Sequence, residues 1–149
     1  MIDLDAIEEN GRVTVDTAPI IYILEDHPLY AELFIPLFQR IEAGKLQAVL
    51  SPVTIAEVVA GPLGSGNEIL ANRYFKVLTA GANWMVQDLT AELSFLAARI
   101  RSRYRLKLPD AIQVATAIQT GSSALITHDR DFRGVDEIAI LGNKSSLQR

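Results

Sequence analysis

Gly11-Arg12-Val13-Thr14-Val15-Asp16-Thr17-Ala18-Pro19-Ile20-Ile21-Tyr22-Ile23-Leu24 is the stretch on which the fold turns. Val13-Thr14-Val15 is a short β-rich run. Proline near the front of the apolar segment that follows suits a helix start, where its missing N–H costs nothing. With Pro19 first in the helix, Ala18 is expected to cap it. Strand thus passes to helix with one acid, Asp16, at the strand's carboxyl end.

The alternation continues outward. Residues 29–43 have helical spacing (Leu33, Leu37, Ile41), bend at Pro36 and stop at Gly44, and 46–50 read as a second buried strand. Ser51-Pro52 opens a helix over about 53–60. Residues 61–66 read as a loop, 68–79 as a helix and 83–87 as a strand with Trp84 and Met85 in the core. A helix follows over 91–104, another opens at Leu108-Pro109 and closes at Gly121, and strands follow at 124–127 and 138–141. Such alternation implies an α/β protein, a parallel sheet covered by helices on both faces. Ligands of such sheets bind beyond the carboxyl ends of the strands, where strand order reverses. One domain is expected over 11–142, with an N-terminal extension at 1–10 and a C-terminal tail at 143–149.

At 149 residues, with 49% hydrophobic and 21% charged, the chain is long enough for one proper core and unlike a disordered polymer. Cysteine is absent, which excludes disulfide frameworks, cysteine zinc sites, iron–sulfur clusters and thiol catalysis. The first ten residues carry acids and no base, unlike a signal peptide, and no apolar run approaches the ~20 residues of a membrane span. The expectation is a soluble cytoplasmic protein with no membrane partner. Eighteen acids against 14 bases argue against binding nucleic acid by bulk charge and raise the question of where the acids converge.

Most acids decorate termini, helix faces and turns. Asp16 stands over the binding edge, with a helix cap as its structural alternative. Glu57 is the only charge between Ser51 and Gly61, on a helix of mostly apolar residues, so it needs a partner, a ligand or a narrow solvated stripe. Asp110 lies in the first turn of an otherwise apolar helix, where the dipole alone favours an anion. Gln113, Thr116 and Gln119 continue a thin polar line along it. Asp129 and Asp131 follow the strand at 124–127, emerging at the same edge as Asp16, in a place where turn chemistry alone also favours Asp. Gathered together, Asp16, Glu57, Asp110 and Asp129 form a ring of carboxylates that repel one another unless a cation neutralises them. Oxygen-only ligation selects a hard ion, Mg²⁺ or Mn²⁺, which activates water and clamps phosphodiester oxygens.

Val15-Asp16-Thr17-Ala18-Pro19-Ile20-Ile21-Tyr22, Ile55-Ala56-Glu57-Val58, Leu108-Pro109-Asp110-Ala111-Ile112-Gln113-Val114-Ala115-Thr116-Ala117 and Leu125-Ile126-Thr127-His128-Asp129-Arg130-Asp131-Phe132 together resemble PIN domains. The likeness is greatest to the VapC-type toxins of toxin–antitoxin pairs and runs from about Arg12 to Leu141. It implies a Mg²⁺-dependent ribonuclease with a five-stranded parallel sheet in a three-layer α/β/α fold. Carried across, Asp16, Glu57 and Asp110 are the principal acids and Asp129 the more variable fourth, with Asp16 and Asp110 as metal ligands. Thr127 is the hydroxyl beside the metal, and Asp131 a supporting acid. Ala18 departs from the Asn or Ser of many relatives. The resemblance also implies a cognate antitoxin and a homodimer, for which Tyr30, Phe34 and Phe38 offer a face that core burial explains equally well.

Seven of the 14 basic residues fall between 99 and 133. Of these, Arg103, Arg105 and Arg130 are the expected RNA contacts, steering phosphate toward the acids, although cations at a helix C-terminus are favoured by its dipole too. Tyr104 in this run is a core or rim residue, with base stacking as the alternative. His128 flanks the site, and His27 is a loop residue. The 61–66 loop lacks the Lys-Ser/Thr of a phosphate-binding loop. A haloacid-dehalogenase-type phosphotransferase needs a second Asp where Ala18 stands, and a receiver domain needs a carboxylate pair and a later Lys. The remaining alternative is a degenerate PIN-like domain that binds RNA or metal without cleavage; it would have lost an acid, and none is lost.

Overall fold

The computed structural model describes residues 2–142, so the expected tail at 143–149 lies outside the described residues. Five parallel strands form one sheet in the order β3-β2-β1-β4-β5: β1 (Arg12–Val15), β2 (Gln47–Leu50), β3 (Trp84–Val86), β4 (Ala124–Ile126) and β5 (Ala139–Leu141). Strands β1, β2 and β3 grow toward one edge, and β4 and β5 continue from the other side of β1. Strand order therefore reverses between β1 and β4, where Val13 pairs with Ala124 and Val15 with Ile126. The crevice above their carboxyl ends is where this architecture places ligands.

Pleat alternation divides the core into two layers. Val13, Val15, Ala48, Leu50, Ala124 and Ile126 pack with Ile20 of α1 (Thr17–Leu24), Phe34, Leu37 and Ile41 of α2 (Ala31–Glu42), Val58 of α3 (Pro52–Gly64), and Tyr74 and Leu78 of α4 (Glu68–Ala80). Leu125 points the other way, onto Ile100 of α5 (Ala91–Tyr104) and Val114 of α6 (Leu108–Gln119). Thr14 follows Leu125 to that face, where its hydroxyl bonds Ser122 Oγ at 2.8 Å. The three-layer α/β/α expectation is met. Ile2 and Ile7, on either side of a 3₁₀ turn (Leu4–Ala6), are buried in the larger core.

Three local expectations are corrected. Asp16, not Ala18, caps α1: its backbone is extended and its carboxylate accepts from Thr17 N. Pro19 then occupies the third helical position, where the N–H is still unpaired in any helix, so it fits there as well as at the first. Helix α3 continues through Gly61 and the buried Pro62 to Gly64, leaving only a short turn before Asn67, which caps α4 through Leu70 N. Burial of the Pro62 ring, with α3 and α4 packed together, offsets its lost hydrogen bond. Trp84 and Met85 are only half-buried, because β3 is an edge strand.

Of the two explanations for Phe34 and Phe38, core burial is the one that holds, for both side chains belong to the core. Phe34 also abuts Gly142: a Cβ there would sit 2.7 Å from the Phe34 ring and 2.8 Å from Thr127 O, and the glycine's φ of +86° independently disfavours any other residue. Phe34→Ala is expected to lower unfolding free energy by about 3–5 kcal/mol, measured by denaturant titration.

Candidate active site

At the strand-order reversal Asp16 N still pairs with Ile126 O at 2.8 Å, carrying the β1–β4 ladder one residue past the strand. This fixes the backbone from which the Asp16 carboxylate projects. Oδ1 accepts from Thr17 N at 2.9 Å and from Gln113 Nε2 at 3.0 Å, and Oδ2 accepts from Thr127 Oγ1 at 2.8 Å. Asp16 is therefore both a helix cap and a site acid.

Its supports are themselves held. Gln113 Nε2 also donates to Thr54 Oγ1 at 2.6 Å, and Gln113 Oε1 accepts from Ser51 Oγ at 2.7 Å. All three are buried, Gln113 to 1% exposure. They lock the start of α3 and the middle of α6 to the end of β1. Thr127 is fully buried, and its hydroxyl also accepts from Asp129 N at 3.0 Å. Asp129 Oδ1 then accepts from Asp131 N at 2.9 Å, opening a 3₁₀ turn over Arg130–Phe132. The Thr127 hydroxyl thus serves Asp16 and the Asp129 backbone. Thr127→Val removes both contacts and is expected to weaken metal binding by about 10–100-fold by titration calorimetry, as loss of outer supports typically does.

Carboxylate oxygens of Asp110, Asp129 and Asp131 lie within 4.8 Å of one another. Partial burial pushes the Asp110 carboxyl up to about 6, followed by the charges of Asp16, Asp129 and Asp131, with Lys107 opposing. Burial also raises Asp16, against the hydrogen bonds from Thr127, Thr17 and Gln113. Raised acids around an oxygen-only donor set are what a hard divalent cation relieves, and these residues fit one. Asp131, expected as a supporting acid, stands in the close triple; Asp16 lies outside it but near enough for its charge to raise Asp110.

Glu57 is placed differently from the expectation. It is exposed on α3, together with Ala56 and Ala60, and its Oε1 accepts from Thr17 Oγ1 at 2.9 Å. The helix read as mostly buried because alanines and a glycine line its solvent face. Glu57 flanks the site through Thr17 and lies outside the close triple.

The family model of the PIN domain matches residues 13–138. The chain belongs to the PIN domain family. No curated protein matches it. Among solved structures, VapBC2 from Rickettsia felis, bound to a DNA fragment from its promoter, aligns at TM-score 0.68 and 15% identity, over 87% of this chain and 96% of that one. A toxin–antitoxin complex from Klebsiella pneumoniae aligns at 0.63 and 26% identity, over 85% and 95%. VapC20 from Mycobacterium tuberculosis, a toxin that cleaves the sarcin-ricin loop, aligns at 0.63 and 17% identity, over 82% and 93%.

In this PIN domain, among the described residues, Arg103 is held in an ion pair while Arg105 and Arg130 make none. Arg103 pairs with Glu137 at 2.7 Å, and Tyr104 Oη donates to Asp136 at 2.6 Å and to Glu137 at 2.9 Å. These contacts fasten the end of α5 to the turn before β5. Arg105, left-handed at φ 57° after α5, is exposed. Arg130 is exposed beside Asp129 and lines a cavity with Ala18, Tyr22 and His128.

Sequence reasoning missed Thr17, Ser51, Thr54 and Tyr22 as site-building residues and noted Gln113 only as part of a polar line. Gln113 was the signal: an amide three residues after Asp110 on an apolar helix needs buried partners.

Proposed function

We propose that this PIN domain is a metal-dependent endoribonuclease and the toxin of a type II toxin–antitoxin pair. The observation that carries the reading is the convergence of Asp16, Asp110, Asp129 and Asp131 at the strand-order reversal of a PIN fold. Asp110, Asp129 and Asp131, together with the neighbouring Asp16, would hold Mg²⁺ or Mn²⁺. The bound cation supplies positive charge against the phosphodiester and activates water for hydrolysis.

The chain's own residues do the rest. Thr127 and Gln113 orient the Asp16 carboxylate, and their hydrogen bonds oppose the rise that burial imposes on it. Arg130 and Arg105 attract the RNA backbone toward an otherwise acidic centre, while Arg103 reaches phosphate only by exchanging its partner Glu137. Glu57, held by Thr17, stands at the rim, placed to orient water or substrate. By family resemblance the products are a 5′-phosphate and a 3′-hydroxyl.

A free ribonuclease needs restraint, and the Klebsiella pneumoniae relative is a toxin–antitoxin complex, so a cognate antitoxin is the proposed protein partner. Among the described residues no helix is long and apolar enough to cross a membrane, and a cytoplasmic setting accords with an RNA substrate. The degenerate-domain alternative is disfavoured because every expected acid is present. Metal removal tests the reading: EDTA-stripped protein is expected to leave RNA intact on a gel, and Mg²⁺ or Mn²⁺ to restore cleavage. Undiminished cleavage in EDTA, or none with either ion, contradicts it.

A further inference from the structure

We infer that the cavity beside the acids receives the base of the nucleotide adjoining the scissile phosphate, and so selects which nucleotide is cut. This rests on the nuclease reading and adds a specificity site to it. The cavity measures about 470 Å³ and is lined by Ala18, Tyr22, His128, Asp129 and Arg130. That lies within the roughly 300–1,000 Å³ of small-ligand sites. Asp129 is shared with the close carboxylate triple, so the cavity opens directly onto the reacting centre. A nucleotide whose phosphate lies at the acids has its base within reach of it.

The walls suit a base, which is flat, apolar on its faces and polar at its edge. Tyr22 and His128 supply rings that are already fixed: Tyr22 Oη and His128 Nδ1 are 2.9 Å apart. The His128 ring meets Tyr22 edge-on at 5.4 Å, Tyr30 at 4.6 Å and Phe34 at 5.9 Å. A wall held on three sides loses little freedom when a ligand arrives. Arg130 is exposed, and among the described residues its guanidinium makes no hydrogen bond or ion pair, leaving its plane free to stack on a base or grip the adjoining phosphate. Ala18 presents only a methyl group on the first turn of α1, and that small side chain leaves the space open. A base enters only when unstacked from its neighbours.

The test compares the four nucleoside 5′-monophosphates with inorganic phosphate, in the presence of Mg²⁺, by titration calorimetry and amide chemical shifts. At least one monophosphate is expected to bind wild type about fivefold or more tightly than phosphate, the low end of what one stacked base contributes. Its shift changes should centre on Ala18, Tyr22 and Arg130. Ala18→Leu fills the cavity, keeps a good helix former and leaves every acid in place; it should erase the preference while binding phosphate as wild type does. Equal binding of all five ligands, shifts centred elsewhere, or a preference that survives in Ala18→Leu would overturn the inference. Wild-type cleavage of RNA is read separately. Cleavage without any base preference overturns the base site alone; a base preference without cleavage overturns the nuclease reading and leaves the base site standing.

Discussion

Asp16→Asn is expected to slow RNA cleavage by roughly 10³-fold, the scale on which loss of one group stabilising charge slows an enzyme. The fold should survive. Asn keeps the oxygen that accepts from Thr17 N and Gln113 Nε2, and its amide can turn toward Thr127 Oγ1, which accepts as well as donates. What is lost is the charge, and with it part of the attraction for a cation. Titration calorimetry should show Mg²⁺ or Mn²⁺ binding to wild type and a loss of that binding in the variant, with thermal unfolding near or above the wild-type midpoint. Removing a partly buried carboxylate that faces Asp110 and Asp129 relieves repulsion in the metal-free protein. A variant that stays folded and binds metal as wild type does would separate Asp16 from the metal site.

The second large effect is on pH. Asp110 is raised to about 6 by burial and by its acidic neighbours, from an ordinary value of 3.8. A cation must displace that proton, so apparent metal affinity should fall about tenfold per pH unit below 6 and level off above it. The stability of the metal-free protein runs the opposite way. Between 3.8 and about 6 the folded state binds the proton more tightly than the unfolded chain, so stability is greater at the acid end and falls as pH rises through this window. Asp16, raised in the same direction, adds to the trend. Thermal unfolding from pH 5 to 7.5 should therefore show a falling midpoint without metal, and a Mg²⁺-induced gain that is small at pH 5 and large at pH 7.5. A metal-induced gain independent of pH would contradict the assignment of Asp110.

Much of this was legible from residues. Strand and helix order followed from β-rich runs ending in an acid or a capping serine, as at Val15-Asp16 and Leu50-Ser51. Parallel pairing then placed Asp16 and Asp129 at one edge. What sequence periodicity does not convey is which face of a small-residue helix meets water. Ala56 and Ala60 look apolar but flank Glu57 on the solvent side of α3. Pro62 looked like a helix stop, yet its buried ring keeps the helix going. Tyr30, Phe34 and Phe38 share a spacing that suits core and interface alike, and only packing assigned Phe34 and Phe38 to the core. The buried polar supports of Asp16 come from three separate elements, α3, α6 and the end of β4. No local pattern links Ser51, Thr54, Gln113 and Thr127 before the chain is folded.

The charge balance reads differently once positions are known. An excess of acids over bases argues against nucleic acid only if the acids are spread out. Here four of them crowd at the crevice between β1 and β4, where a cation would offset them, and Arg130 stands at their rim.

The most direct measurement is RNA cleavage with Mg²⁺ by wild type and by Asp110→Asn, with para-nitrophenyl phosphate as a control substrate. Wild type is expected to cut RNA and leave the phosphate ester untouched, and Asp110→Asn to remain folded and leave RNA uncut. Cleavage unaffected by the substitution, or phosphatase activity alone, would contradict a carboxylate-centred ribonuclease.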